Sequence, residues 1–187
     1  MTFGHVTLCF ALPRSRTQWL CWLHGRAIAV LHDPLKNCRS VADLRAMIEA
    51  MPPGRLFIAD TAALLFHDAL CEELPGVQRR YVWRSPRLVA MSLARQVDVV
   101  DHGLLDAMYA RRGSIDQPDG SWCEYDTLDA HAAGWFEAAT GQPVPPDYAD
   151  LCGRVIDTPL RDQWETGDAS AFRDLYRERE IYKKSPR

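Results

Sequence analysis

Two arginines and two hydroxyls fill four consecutive positions of the segment Pro13-Arg14-Ser15-Arg16-Thr17-Gln18-Trp19-Leu20. Side chains of these types hold oxyanions: guanidinium groups bring charge with paired N–H donors, and hydroxyls bring single donors. N–H groups at a helix start add a partial positive charge. If a strand enters this loop and a helix leaves it, Arg14, Ser15, Arg16 and Thr17 form a cradle for phosphate or sulfate. A second cation stands in Arg84-Ser85-Pro86, and His32-Asp33 sets an imidazole beside a carboxylate. The combination suits binding an anionic group and moving a proton next to it.

The elements that must position these residues are short apolar runs alternating with amphipathic ones. Residues 5–11 are almost continuously apolar, which predicts a strand covered on both faces of a parallel sheet. A helix over 17–24, ended by Gly25, follows. Further strands are predicted over 27–31, 56–59, 80–83 and 121–125, and helices over 41–51, 61–74, 86–96, 99–111 and 128–140, the last capped by Gly141. Ser40 with Asp43 has capping-box spacing, and Pro86 suits a first helical turn.

The repeated β-α order implies parallel strands joined by right-handed crossovers: a three-layer α/β/α fold with a mostly parallel central sheet. In such sheets ligands lie beyond the carboxyl ends of the strands. The residues there are Pro13 to Thr17, His32-Asp33, Asp60-Thr61, Arg84-Ser85-Pro86 and Asp126-Thr127, and the first and fourth groups read as anion sites. Asp60-Thr61 is expected to line the acceptor side. Pro143 to Pro146 reads as a connector, and 160–187 as a charged, helical tail of one domain spanning 1–187.

Composition narrows the function classes. The 187 residues are 47% hydrophobic and 25% charged, enough for a full core, and the net charge of −3 argues against a chain whose main task is gripping nucleic acid. Six scattered cysteines, with no C-x-x-C and no zinc-ligand spacing, read as reduced core thiols. The apolar run at 6–12 has no preceding Lys or Arg and is too short for a signal peptide or a span. A cytoplasmic protein without membrane or metal is the expectation.

The loop is not a G-x-x-x-x-G-K-[ST] phosphate loop, so ordinary kinase chemistry loses its main sequence support. It resembles the 5′-phosphosulfate loop of sulfotransferases, P-[KR]-S-G-T-x-W-L, matched by Pro13, Arg14, Ser15, Thr17, Trp19 and Leu20, with Arg16 in place of the glycine. The segment from Arg80 to Ser92 is similar to that family's 3′-phosphate motif, with Arg84 and Ser92 on its arginine and serine. Trp122 to Leu128 and Gly141-Gln142-Pro143-Val144 also look like family segments, so the resemblance spans about residues 6–146. It implies a phosphate-loop-like sulfotransferase fold in a compact bacterial or phage-type member.

The resemblance further implies 3′-phosphoadenosine 5′-phosphosulfate as donor, the 3′,5′-bisphosphate as product, and a small-molecule or saccharide-type acceptor with a hydroxyl or amine. Arg14 would stabilise the leaving phosphate, with Ser15, Arg16, Thr17, Gln18 and Trp19 along the same cradle and Arg84 and Ser92 on the 3′-phosphate. Asp33-Pro34 falls where relatives carry a catalytic glutamate, which makes Asp33 the base and His32 its alternate. A nucleotide-dependent kinase-like phosphotransferase and a non-catalytic nucleotide-binding or interaction protein are the alternatives, and the short chain admits a homo-oligomer. Trp22 and Leu23 are read as core, His67-Asp68 and Asp101-His102 as solvated helix faces, and Arg111-Arg112 as a basic helix end.

Overall fold

The computed structural model describes residues 5–95 and 99–154. Its sheet contains β1 (Val6–Ala11), β2 (Ala29–His32), β3 (Leu56–Asp60), β4 (Gln78–Trp83) and β5 (Trp122–Glu124) in the order β2-β3-β1-β4-β5, every neighbouring pair parallel. Helices make the crossovers: α1 (Thr17–His24), α2 (Val41–Glu49), α3 (His67–Glu73), α4 (Pro86–Leu93) and α5 (His102–Ala110); α6 (Leu128–Thr140) follows β5, and then the single turn α7 (Tyr148–Leu151). This is the expected α/β/α architecture with a parallel central sheet. Strand order reverses at β1, which puts the loop after β1 at the crevice where such sheets bind ligands.

The pleat explains the two cores. Leu8 and Phe10 of β1 join Ile58, Tyr81, Leu44, Leu70, Val89 and Met108 on one face. Cys9 and Ala11 join Leu20, Phe57, Val82, Trp135 and Phe136 on the other. A strand buried on both faces must be apolar throughout, which is why β1 reads as a continuous run. All six cysteines are free, and burial pushes the Cys38 thiol up to about 11. No helix among the described residues is long and apolar enough to cross a membrane.

Several expected boundaries shift for local reasons. The helix expected over 61–74 is a 3₁₀ turn, Ala63–Phe66, followed by α3. The Asp60 carboxylate takes the Ala62 N–H at 2.7 Å and holds the chain in a turn there. α5 starts at His102 because the Asp101 side chain caps it, accepting from Leu104 N at 2.8 Å. β4 begins two residues early, since Gln78 and Arg79 pair with Thr7 and Leu8. α4 stops at Leu93, and the tail expected over 160–187 lies outside the described residues.

The capping box on α2 is present: Ser40 Oγ accepts from Asp43 N at 3.2 Å and Asp43 Oδ2 accepts from Ser40 N at 3.0 Å. Gly141 caps α6 at φ 71°, where a Cβ would also come within 3.2 Å of the Arg55 guanidinium. That guanidinium donates to the carbonyls of Ala138 and Ala139 at the helix end. Gly25 sits at φ −62°, so it is needed for room rather than for a left-handed turn: a Cβ would lie 2.9 Å from the Cys21 carbonyl.

Two burial expectations are corrected. Trp22 is 36% exposed, whereas Leu23 is buried. His67 is no solvated polar residue: it is buried, its Nε2 lies 3.1 Å from the Tyr81 hydroxyl, and its ring packs 5.0 Å from Phe10. Only its neighbour Asp68 faces water, bridging to Arg111 at 2.6 Å. Helical periodicity around 67 is interrupted by the 3₁₀ turn, which rotates His67 inward.

His24 closes α1 inside the core, stacked on Phe57 at 3.7 Å with its Nδ1 2.8 Å from the Leu20 carbonyl. Burial holds its pKa down at about 4 against an ordinary 6.5. The unfolded chain therefore takes the proton first, and the stability His24 contributes is complete above pH 6.5 and lost as pH falls towards 4. The full swing is about 3 kcal/mol, from about 1.4 kcal/mol per pKa unit. Urea unfolding of His24→Gln and the parent at both ends of that window should show a steeper acid loss in the parent. Parallel curves would remove His24 from the account.

Candidate functional site

The loop between β1 and α1 is held in an uncommon backbone shape. Arg14 and Arg16 lie at φ 62° and 61°, and Asp33, just after β2, at φ 48°; these three are the positive-φ non-glycine residues among those described. Left-handed backbone costs an L-residue about 1–2 kcal/mol, and such outliers persist only where surroundings over-determine them. All three stand at the carboxyl edge of the sheet, at the two strand ends where the sequence places its chemistry.

Each outlier is held by distant side chains. Arg14 Nε donates to Ser92 Oγ at 3.2 Å, and the Arg14 carbonyl accepts from Arg84 Nη1. Arg16 pairs with Asp129 of α6 at 2.7 Å and lies 4.0 Å over the Trp19 ring. Asp33 Oδ1 accepts from the Thr61 N–H at 2.9 Å and the Thr61 hydroxyl at 3.2 Å, and its N–H donates to the Ala59 carbonyl. The strand ends after β1 and β4 are thus tied together, as are those after β2 and β3.

Arg84 leaves the end of β4 with its guanidinium 4.0 Å over the Tyr125 ring. Burial lowers its pKa from the ordinary value, with Tyr125 and Asp126 opposing the shift and Arg14 adding to it, yet an arginine stays cationic there. Its Nε is buried with no protein partner. Ser15 is fully buried and its hydroxyl also finds no partner, while no side chain caps the N-terminus of α1. Uncommitted donors thus remain around Arg14 and at the helix start, as an anion would require.

On the β2 side, Thr17 Oγ1 lies 3.1 Å from His32 Nε2, and the same nitrogen lies 3.6 Å from Asp33 Oδ2. His32 reaches the loop hydroxyl directly. Asp33 is already engaged by both Thr61 groups. The arrangement can orient an imidazole against an anion site and pass it a proton.

Other expectations change. Arg16 commits its Nη1 to Asp129 and lies over Trp19, while its Nε and Nη2 are buried without a protein partner. Trp19 is fully buried and gives its indole N–H to the Leu151 carbonyl at 3.0 Å, which makes it a packing residue behind the loop. Gln18 is half-buried on the first turn of α1. Thr61 is buried and holds Asp33. Asp60 is buried, its oxygens taken by the N–H groups of Leu35 at 2.8 Å and Ala62 at 2.7 Å. Burial, reinforced by the nearby Asp33 charge, pushes it up to about 7. It therefore gains stability on acidification, opposite in sign to His24, and the two partly offset.

The sequence reading missed two residues of the site. Asp129 lies in the first turn of α6 and signals only a common helix-start acid, yet it binds Arg16 and accepts from Gly153 N at 3.1 Å. Tyr125, in the segment after β5, is the platform under Arg84.

Replacing Arg16 by glycine tests the balance in the loop. Glycine removes the left-handed cost of about 1 kcal/mol, but it deletes a partly buried ion pair and a cation–aromatic contact together worth about 2 kcal/mol or more. Arg16→Gly should therefore unfold at lower temperature than the parent, by about 1 kcal/mol in stability. A rise in Tm would mean that strain dominates.

No known family model matches the chain, and no curated protein is similar to it at a significant level. Among solved structures, a gluconokinase from Sinorhizobium meliloti 1021 aligns with a TM-score of 0.44 at 12% identity, covering 75% of this chain and 96% of that chain.

Proposed function

We propose that the chain is a nucleotide-dependent group-transfer enzyme that moves a sulfuryl group from 3′-phosphoadenosine 5′-phosphosulfate to a hydroxyl or amine acceptor. The observation that carries this reading is the meeting of Arg14, Arg84 and Ser92 at one edge although 78 positions separate Arg14 from Ser92. The residues fit such a donor: Ser15 Oγ and Arg84 Nε are buried donors without partners, and the start of α1 is uncapped. When bound, the donor supplies an electrophilic sulfur with a nucleotide phosphate as leaving group.

Arg14 and the first N–H groups of α1 would neutralise the 5′ side, and Arg84 with Ser92 the 3′-phosphate. Placing these donors before the reaction, in a partly buried setting, is what lets them stabilise developing charge at little reorganisation cost. His32 Nε2, beside Thr17, would accept the acceptor's proton, and the Asp33 carboxylate, held by Thr61 with Oδ2 3.6 Å from that nitrogen, would stabilise the imidazolium that forms. This reverses the order of preference that motif position alone suggests, because Asp33 spends Oδ1 on two hydrogen bonds from Thr61.

Phosphoryl transfer from a nucleoside triphosphate is the second reading. It is favoured by the contact of Arg84 with the Arg14 carbonyl, which brings two guanidinium-bearing residues to one place suited to adjacent phosphates. Calorimetry with adenosine 3′,5′-bisphosphate, ATP and AMP separates the two. Tighter binding of the bisphosphate supports sulfuryl transfer, tighter binding of ATP supports phosphoryl transfer, and binding without turnover over a broad acceptor panel would leave a nucleotide-binding protein.

A further inference from the structure

We propose a second small-molecule site at the opposite end of the sheet, one that takes a ligand bearing both a carboxylate and an ammonium group. A cavity of about 290 Å³ opens where β4 begins, lined by Gln78, Arg79, Arg80, Asp116, Asp119 and Ser121. Arg84 leaves the other end of the same strand, so the cavity lies about a strand length, roughly 20 Å, from the anion loop.

Two buried donors there have no protein partner. Ser121 is 5% exposed and its hydroxyl makes no hydrogen bond, although its carbonyl accepts from Tyr81 N at 2.9 Å and thereby seats it beside Arg80. Arg80 is half-buried with its guanidinium 6.0 Å over Trp135; Nη1 donates to the Arg79 carbonyl at 3.0 Å, and Nε is buried with no acceptor. Among the described residues no carboxylate pairs with Arg80. A partly buried guanidinium without a counter-charge, next to a buried hydroxyl without an acceptor, is expensive unless an anion is supplied.

The cavity also defines what else the ligand carries. Asp116 and Asp119 line it and, among the described residues, form no ion pair with Arg79 or Arg80. A bare phosphate would satisfy the donors and face these two carboxylates, whereas a polyamine would face the two arginines. An α-amino acid presents its carboxylate to Arg80 and Ser121 and its ammonium to the exposed aspartates. The volume is at the small end of ligand pockets, which suits a ligand of that size.

The test is ¹⁵N NMR titration of the full chain with each common L-amino acid, and separately with acetate, ethylamine and inorganic phosphate. At least one amino acid should saturate the signals around Arg80 and Ser121, more tightly than any of the three part-ligands and without displacement by adenosine 3′,5′-bisphosphate. Ser121→Ala and Asp119→Asn, both expected to fold, should each weaken that binding by about tenfold, and Arg80→Gln by more. Absence of saturable binding by every amino acid overturns the proposal. So do acetate or phosphate binding equally well, displacement by the bisphosphate, and affinity unchanged in Ser121→Ala and Asp119→Asn.

Discussion

Arg84→Ala should collapse the preference for adenosine 3′,5′-bisphosphate over AMP, lowering bisphosphate affinity by about 10- to 100-fold, the worth of one charge-assisted contact of about 1.5–3 kcal/mol. AMP has no 3′-phosphate, so its affinity should fall much less, only through loosening of the Arg14 carbonyl that Arg84 holds. Arg84→Lys should recover little. Lysine keeps the charge but lacks the planar fork that lets one side chain lie flat on Tyr125, hold that carbonyl and still present Nε. Calorimetry with both nucleotides reads the ratio, and thermal unfolding confirms that the variant folds. Equal losses for AMP and the bisphosphate would sink the assignment of Arg84 to the 3′-phosphate.

His32→Ala should leave donor affinity within a fewfold of the parent and cut turnover by about 10²- to 10⁴-fold, the usual contribution of a positioned base. The grounds are the 3.1 Å approach of its Nε2 to Thr17 and its place beside the loop. Added imidazole should restore part of the rate, because removal of the ring leaves space for it; a purely structural role would show no such rescue. Asp33→Asn should cost less, about tenfold, since an amide oxygen can still accept from Thr61 while its influence on His32 is lost. A larger loss in Asp33→Asn than in His32→Ala would return the base to Asp33.

Local order was readable because it depends on neighbours in sequence. The continuous apolar run of β1, the spans of α1 and α6, the Ser40–Asp43 capping box and the Gly141 cap all follow from period and turn chemistry within a few residues. The β-α alternation was sufficient for the parallel sheet, and the rule for ligand positions in such sheets pointed to the strand ends that meet at one edge.

Side-chain direction depended on residues far along the chain. Whether Arg16 faces an anion or the protein interior turns on Asp129, 113 positions away, whose carboxylate makes an inward ion pair possible. Trp19 is a packing residue because the Leu151 carbonyl waits for its indole N–H. His67 is buried while Asp68 beside it is exposed, and that difference follows from how the 3₁₀ turn after β3 rotates His67 inward, not from its own type. The amino-acid order by itself determined the strand-helix sequence, the loop composition and which strand ends carry charge, since these rest on local propensity and hydrophobic period. Only the tertiary structure decided which of those charges remain available, because pairing, desolvation and left-handed backbone are settled by groups that the chain brings together only when folded.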